Sequence, residues 1–86
     1  MNYTVLWRPV AEQRLASIWM TARDRNAVTE AAHAIDEVLR IDPEQVGESR
    51  PDDVRIHFEE PLGILFTVSP DDRMAYVLSV WRWDSR

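Results

Sequence analysis

Arg55, His57 and Glu59 stand at alternate positions of the segment VRIHFE, so an extended chain puts all three on one face. A guanidinium there could hold a phosphate, and a histidine or carboxylate could move the proton of a ribose 2′-hydroxyl. Arg82 stands between Trp81 and Trp83. A planar cation beside aromatic rings is the combination that grips single-stranded RNA, the cation on phosphate and the ring on a base. The candidate set is therefore Arg55, His57 and Arg82 for chemistry, with Trp81, Trp83, Arg50 and Arg73 for contact with a substrate or partner.

A plainer account competes with this one. Arg55, His57 and Glu59 alternate with Val54, Ile56 and Phe58, which is also the pattern of any solvated sheet face. Trp81 and Trp83 fall at the same parity as Val77 and Ser79, so a core or partner contact suits them as well as base stacking does. His33 reads as decoration of an outer helix face, and the pairs Asp52-Asp53, Asp71-Asp72 and Glu59-Glu60 read as turn chemistry or solvation.

Other chemistries are harder to place. The chain has 86 residues and no cysteine, which removes disulfides, zinc-thiolate sites and thiol nucleophiles. Its 2 histidines have no metal-ligand spacing, and its 2 glycines are too few for a nucleotide-cradling loop. No metal, cofactor or small-molecule substrate is expected. All 10 basic residues are arginine, so no lysine is available as an amine base or Schiff-base former. With 15 acidic residues the net charge is −5, which argues against non-specific binding to nucleic acid. No apolar run is long enough for a membrane span and the first residues do not read as a secretory signal, so the expected location is the cytoplasm.

The elements that must position the candidate residues follow from periodicity. Residues 2–8 are aromatic and β-branched and predict a strand, ended by Pro9, which suits the first turn of a helix. Ala11, Leu15, Ile18, Trp19 and Ala22 form one helical stripe; Val28, Ala31, Ala32, Ile35, Val38 and Leu39 form a second, with Asp24 or Asn26 as its cap. Asp42-Pro43 closes that helix, and residues 42–53 read as a loop or crossover. Val54–Phe58, Gly63–Val68 and Met74–Trp83 predict three further strands. Residues 1–86 thus make a single α+β domain of order β-α-α-β-β-β, with a helical hairpin on one face of an antiparallel-rich sheet. The free sheet face is then the expected place for a site.

Several of these residues, in this order, resemble the RelE/ParE superfamily of toxins from bacterial type II toxin–antitoxin systems. The resemblance runs through YTVLWRPVAEQRLASIW, the small-residue second helix, the G-x-S-R segment at 47–50, and VRIHFEEPLGILFTVSPDDRMAYVLSVWRW. It implies the same α+β fold and a cognate antitoxin as partner. It also implies one of two targets: ribosome-bound mRNA, cleaved by a RelE-type endoribonuclease with Arg55 and Arg82 at its basic strand positions, or a protein such as DNA gyrase, inhibited without cleavage. A degenerate member that only binds its antitoxin is a third possibility. The chain departs from the ribonuclease pattern at Gly63, where such members often carry arginine, and in lacking a C-terminal tyrosine, since Tyr76 lies too early.

Overall fold

Residues 2–84 are described by a computed structural model. β1 (Thr4–Trp7) leads into α1 (Pro9–Thr21), where Pro9 takes the first helical position and gives up an N–H that had no partner to lose. Ala11 and Ile18 are buried and Leu15 packs against them. Trp19, expected on the same stripe, stays 41% exposed, and its indole donates to the Thr29 hydroxyl at 3.1 Å. The stripe is narrower than the sequence suggested because Trp19, one residue past Ile18, rotates out from under the sheet, while Ala22 still packs against the core.

α1 ends against Arg25, the first residue of α2 (Arg25–Ile41). Arg25 donates from Nε to the Trp19 carbonyl at 3.0 Å and from Nη2 to the Met20 carbonyl at 2.8 Å, with its guanidinium 4.5 Å from the Trp19 ring centre. The fork thereby supplies a donor to the Met20 carbonyl and a second one to the Trp19 carbonyl, which also accepts from the Ala22 N–H at 3.3 Å. Arg25→Ala is expected to cost about 1–2 kcal/mol, read from the urea midpoint. Arg25→Lys should recover less than half, since a point charge cannot serve both carbonyls and the ring. α2 buries Val28, Ala31, Ile35 and Leu39, the predicted face.

The sheet order is β1-β5-β4-β3-β2, where β2 is Glu48–Arg50, with β3 (Val54–Glu59), β4 (Leu62–Ser69) and β5 (Met74–Arg82) antiparallel as expected and β1 parallel to β5. A parallel neighbour needs a long crossover, and the helical hairpin forms part of that connection. The indole of Trp7 in β1 donates to Asp36 of α2 at 2.8 Å, tying strand to hairpin.

Residues 42–53 differ from the expected loop. They hold a 3-10 turn (Pro43–Gln45), a short edge strand β2 (Glu48–Arg50) antiparallel to β3, and a second turn (Pro51–Asp53). The order is therefore β-α-α-β-β-β-β. Three exposed polar residues carry no strand periodicity, so β2 is set by its partner rather than by its own sequence. Gly47 makes the approach possible: its φ is +69°, and a Cβ there would lie 2.0 Å from the Ile56 carbonyl oxygen.

Leu62, Ile64 and Phe66 of β4 join Ala75, Val77 and Val80 of β5 in the core beneath the helices. The register passes from Leu65↔Ser79 to Phe66↔Val77, leaving Leu78 as an extra residue in β5. This bulge reverses the strand's parity. Trp81 therefore lies on the opposite face from Val77, against the expectation from simple alternation.

Candidate functional site

Directly paired residues of neighbouring strands project to the same side of a sheet. Arg55, His57 and Glu59 pair with Phe66, Ile64 and Leu62, all buried under the helices. The polar trio therefore lies on the helix-bearing side, at the margin of the core. The free face receives Val54, Ile56 and Phe58 from the same strand. The expectation that the trio would mark the free face is corrected: with β4 as the centre of the core, pairing to Leu62, Ile64 and Phe66 dictates which side each β3 residue takes.

Each candidate has a local partner. Arg55 donates to the Val46 carbonyl at 2.8 Å, the Ser49 hydroxyl at 2.9 Å and the Gly47 carbonyl at 3.1 Å, so its whole fork holds the β2 approach. His57 Nε2 lies 3.2 Å from Glu59 Oε1. Arg82 Nη2 lies 2.6 Å from Asp24 Oδ2, joining the end of β5 to the helix–helix joint. Arg82 also lies opposite Leu62, as Glu59 does from the other side. The structure thus brings His57, Glu59 and Arg82 to one end of one face and leaves Arg55 directed away from them.

Asp24 stands at the N-cap of α2 yet makes no cap hydrogen bond with its side chain; the carboxylate turns to Arg82 instead. The hydrogen bond from Arg82 holds its pKa below the ordinary 3.8. A carboxyl with a lowered folded-state pKa stabilises the fold above its ordinary value, and the effect is lost as pH falls through the lowered one. The urea midpoint of Asp24→Asn is expected to lie below that of the wild-type chain near neutrality. The two curves should converge as pH drops below 3.8. Added salt should narrow the gap, because both side chains are partly exposed.

Trp81 and Trp83 do come together, around Phe58 on the free face. Phe58 lies 4.6 Å from Trp83 between ring centres and 6.3 Å from Trp81, the latter edge-on at 81°. Gly63 is the floor under Trp81: a Cβ there would fall 2.6 Å from the indole Cε2 and Nε1. Arginine is thus absent at position 63 for a local reason, since the space that any side chain would need holds an indole.

Arg50 and Arg73 do not join this cluster. Arg50 lies in edge strand β2, 3.1 Å from Glu48, and Arg73 sits before the start of β5 with its guanidinium 5.5 Å from the Tyr3 ring centre. Phe58, Gly63 and Asp24 are the site residues that sequence reasoning missed. Phe58 was legible as apolar but not as outward, and nothing local pairs Asp24 with Arg82 across 58 residues. Among the described residues no group of three or more His, Asp or Glu side chains is placed to hold a metal ion, and no helix is long and apolar enough to cross a membrane.

No protein-family model matches the chain, and no curated protein matches it. Solved structures do. A chain of the RelBE2 toxin–antitoxin complex from Mycobacterium tuberculosis aligns with a TM-score of 0.78 at 15% identity, over 95% of this chain and 92% of that one. A chain of the archaeal RelE–RelB complex from Pyrococcus horikoshii gives 0.69 at 12% identity, with 100% of both chains covered. A chain of the chromosomal ParDE system from P. aeruginosa gives 0.66 at 18% identity, covering 95% and 97%. With two helices on a mixed sheet in the same arrangement, the chain has the α+β fold of the RelE/ParE toxins.

Proposed function

We propose that this chain is the toxin of a type II toxin–antitoxin module, neutralised by a cognate antitoxin, and that it acts by binding a protein target such as DNA gyrase. Likeness in fold to chains from three toxin–antitoxin complexes supports the first part. The aromatic cluster of Phe58, Trp81 and Trp83 on the free sheet face carries the second, because aromatic anchors on an uncovered surface are what protein interfaces concentrate. The commitment of Arg55 to residues 46–49 and of Arg82 to Asp24 supports it further, as does a net charge of −5.

Expression of the chain alone should arrest growth, and co-expression of the antitoxin should restore it. Purified chain should inhibit supercoiling by gyrase, and Trp81→Ala should weaken that inhibition about 30-fold. Unimpaired supercoiling at excess chain, with ribosome-dependent cuts in mRNA, would overturn the protein-target reading. Harmless expression of folded chain would overturn toxicity itself and leave an antitoxin-binding protein.

The position of His57, Glu59 and Arg82 at one end of one face favours a second reading, an mRNA endoribonuclease. In it the His57–Glu59 pair moves the 2′-hydroxyl proton, Arg82 turns from Asp24 to the scissile phosphate, and Arg55 braces the neighbouring loop. His57→Gln and Arg82→Ala should then each abolish codon-phased cuts in a primer-extension assay while the fold is retained.

A further inference from the structure

β1 covers only part of β5. The two pair from Met74 to Val77, and the chain then turns into α1, with Arg8 N–H donating to the Val77 carbonyl at 2.9 Å. β5 continues to Arg82, so among the described residues its last five have β4 on one side and no strand on the other. Trp83 N–H donates to the Pro61 carbonyl at 2.8 Å, toward β4. Alternation along the strand then points the N–H and C=O groups of Arg82 and Val80 the other way. Among the described residues no backbone group meets them.

A slot of about 260 Å³ runs along this edge, between Val10, Ala11 and Arg14 of α1 and Ser79, Val80 and Trp81 of β5. Val10 is 74% exposed. Arg14 has no ion-pair partner among the described residues.

We infer that an extended segment of the antitoxin fills this slot as a sixth strand, in line with β1, and places an acidic side chain against Arg14. The inference rests on the toxin reading proposed above. Unpaired N–H and C=O groups call for an extended chain, because a helix has already satisfied its own. Five residues of edge offer about 17 Å of ladder, enough for one strand. Val10 gives side chains of the incoming strand an apolar contact on the helix-bearing side. The free cation of Arg14 selects an acidic residue, which distinguishes this occupant from an arbitrary sticky strand.

The test uses the complex purified after co-expression of the chain with the antitoxin encoded beside it, compared with the chain alone. Amide hydrogen exchange followed by NMR should slow by about 100-fold or more at Val80 and Arg82 on complex formation, with Val77 little changed. Arg14→Glu, on the surface of α1, should fold normally by circular dichroism and weaken binding about tenfold; an acid-to-arginine change in the partner strand should restore it. A stable, growth-rescuing complex in which Val80 and Arg82 exchange as in the free chain overturns this inference and leaves the toxin reading standing. Failure of any antitoxin to bind or rescue overturns both. Protection of the same two amides in the chain alone, rising with its concentration, would assign the edge to a second copy and overturn the antitoxin assignment.

Discussion

Phe66→Ala is expected to remove about 3–5 kcal/mol of stability, enough to leave the chain largely unfolded at physiological temperature if its total stability is at the low end for its length. Phe66 is the largest of the fully buried side chains and sits in the middle of β4, the central strand of the sheet. Its neighbours across the ladder are Arg55 in β3 and Val77 in β5, and the helical hairpin lies above it. A ring removed there leaves a void that rigid strands on both sides cannot close, so the cavity adds to the lost transfer energy. Thermal melting should fall by about 12 °C or more. Phe66→Leu keeps most of the volume and should cost under about 1.5 kcal/mol. A loss below about 1 kcal/mol for the alanine variant would mean that the core is not organised around this ring.

The second large effect belongs to Gly63. Gly63→Ala is expected to cost about 1–3 kcal/mol, since its methyl group would occupy the space of the Trp81 indole and force that ring off the sheet. Tryptophan fluorescence should shift to the red as the ring enters water. If the chain acts on a protein target as proposed, that inhibition should weaken along with it, because the Phe58–Trp81–Trp83 cluster loses the contact between Trp81 and Phe58. The mechanism predicts a specific non-additivity. In a Trp81→Ala background the same glycine substitution should cost less than about 0.5 kcal/mol, because the clash has been removed in advance. Equal costs in both backgrounds would show that Gly63 is needed for its backbone and not for the indole above it.

The two helices were legible in the sequence because their apolar residues recur at helical spacing, and burial of Val28, Ala31, Ile35 and Leu39 follows that period directly. Three of the four later strands were legible from alternation and turn residues. β2 was not, since Glu48, Ser49 and Arg50 are polar throughout and become a strand only through pairing with β3. The candidate residues were legible as a set of types but not as a site. Arg55, His57 and Glu59 do share a face, and Trp81 and Trp83 do sit together, yet the two groups occupy opposite sides of one sheet.

By itself the sequence determined the fold class, the helical hairpin, the alternation within β3 and the absence of thiol and lysine chemistry, all of which depend on residue identity and local spacing. The tertiary structure alone decided which side of the sheet each candidate faces. A single extra residue at Leu78 reverses the parity of β5, and the pairing of β3 with a fully buried β4 assigns its polar residues to the helix-bearing side. It also decided that Asp24 meets Arg82, that Gly63 lies beneath Trp81, and that the last residues of β5 keep an open edge. These are facts of register and of contact between distant segments. Period-two alternation carries no information about which of two faces will be covered, so only the folded chain could supply them.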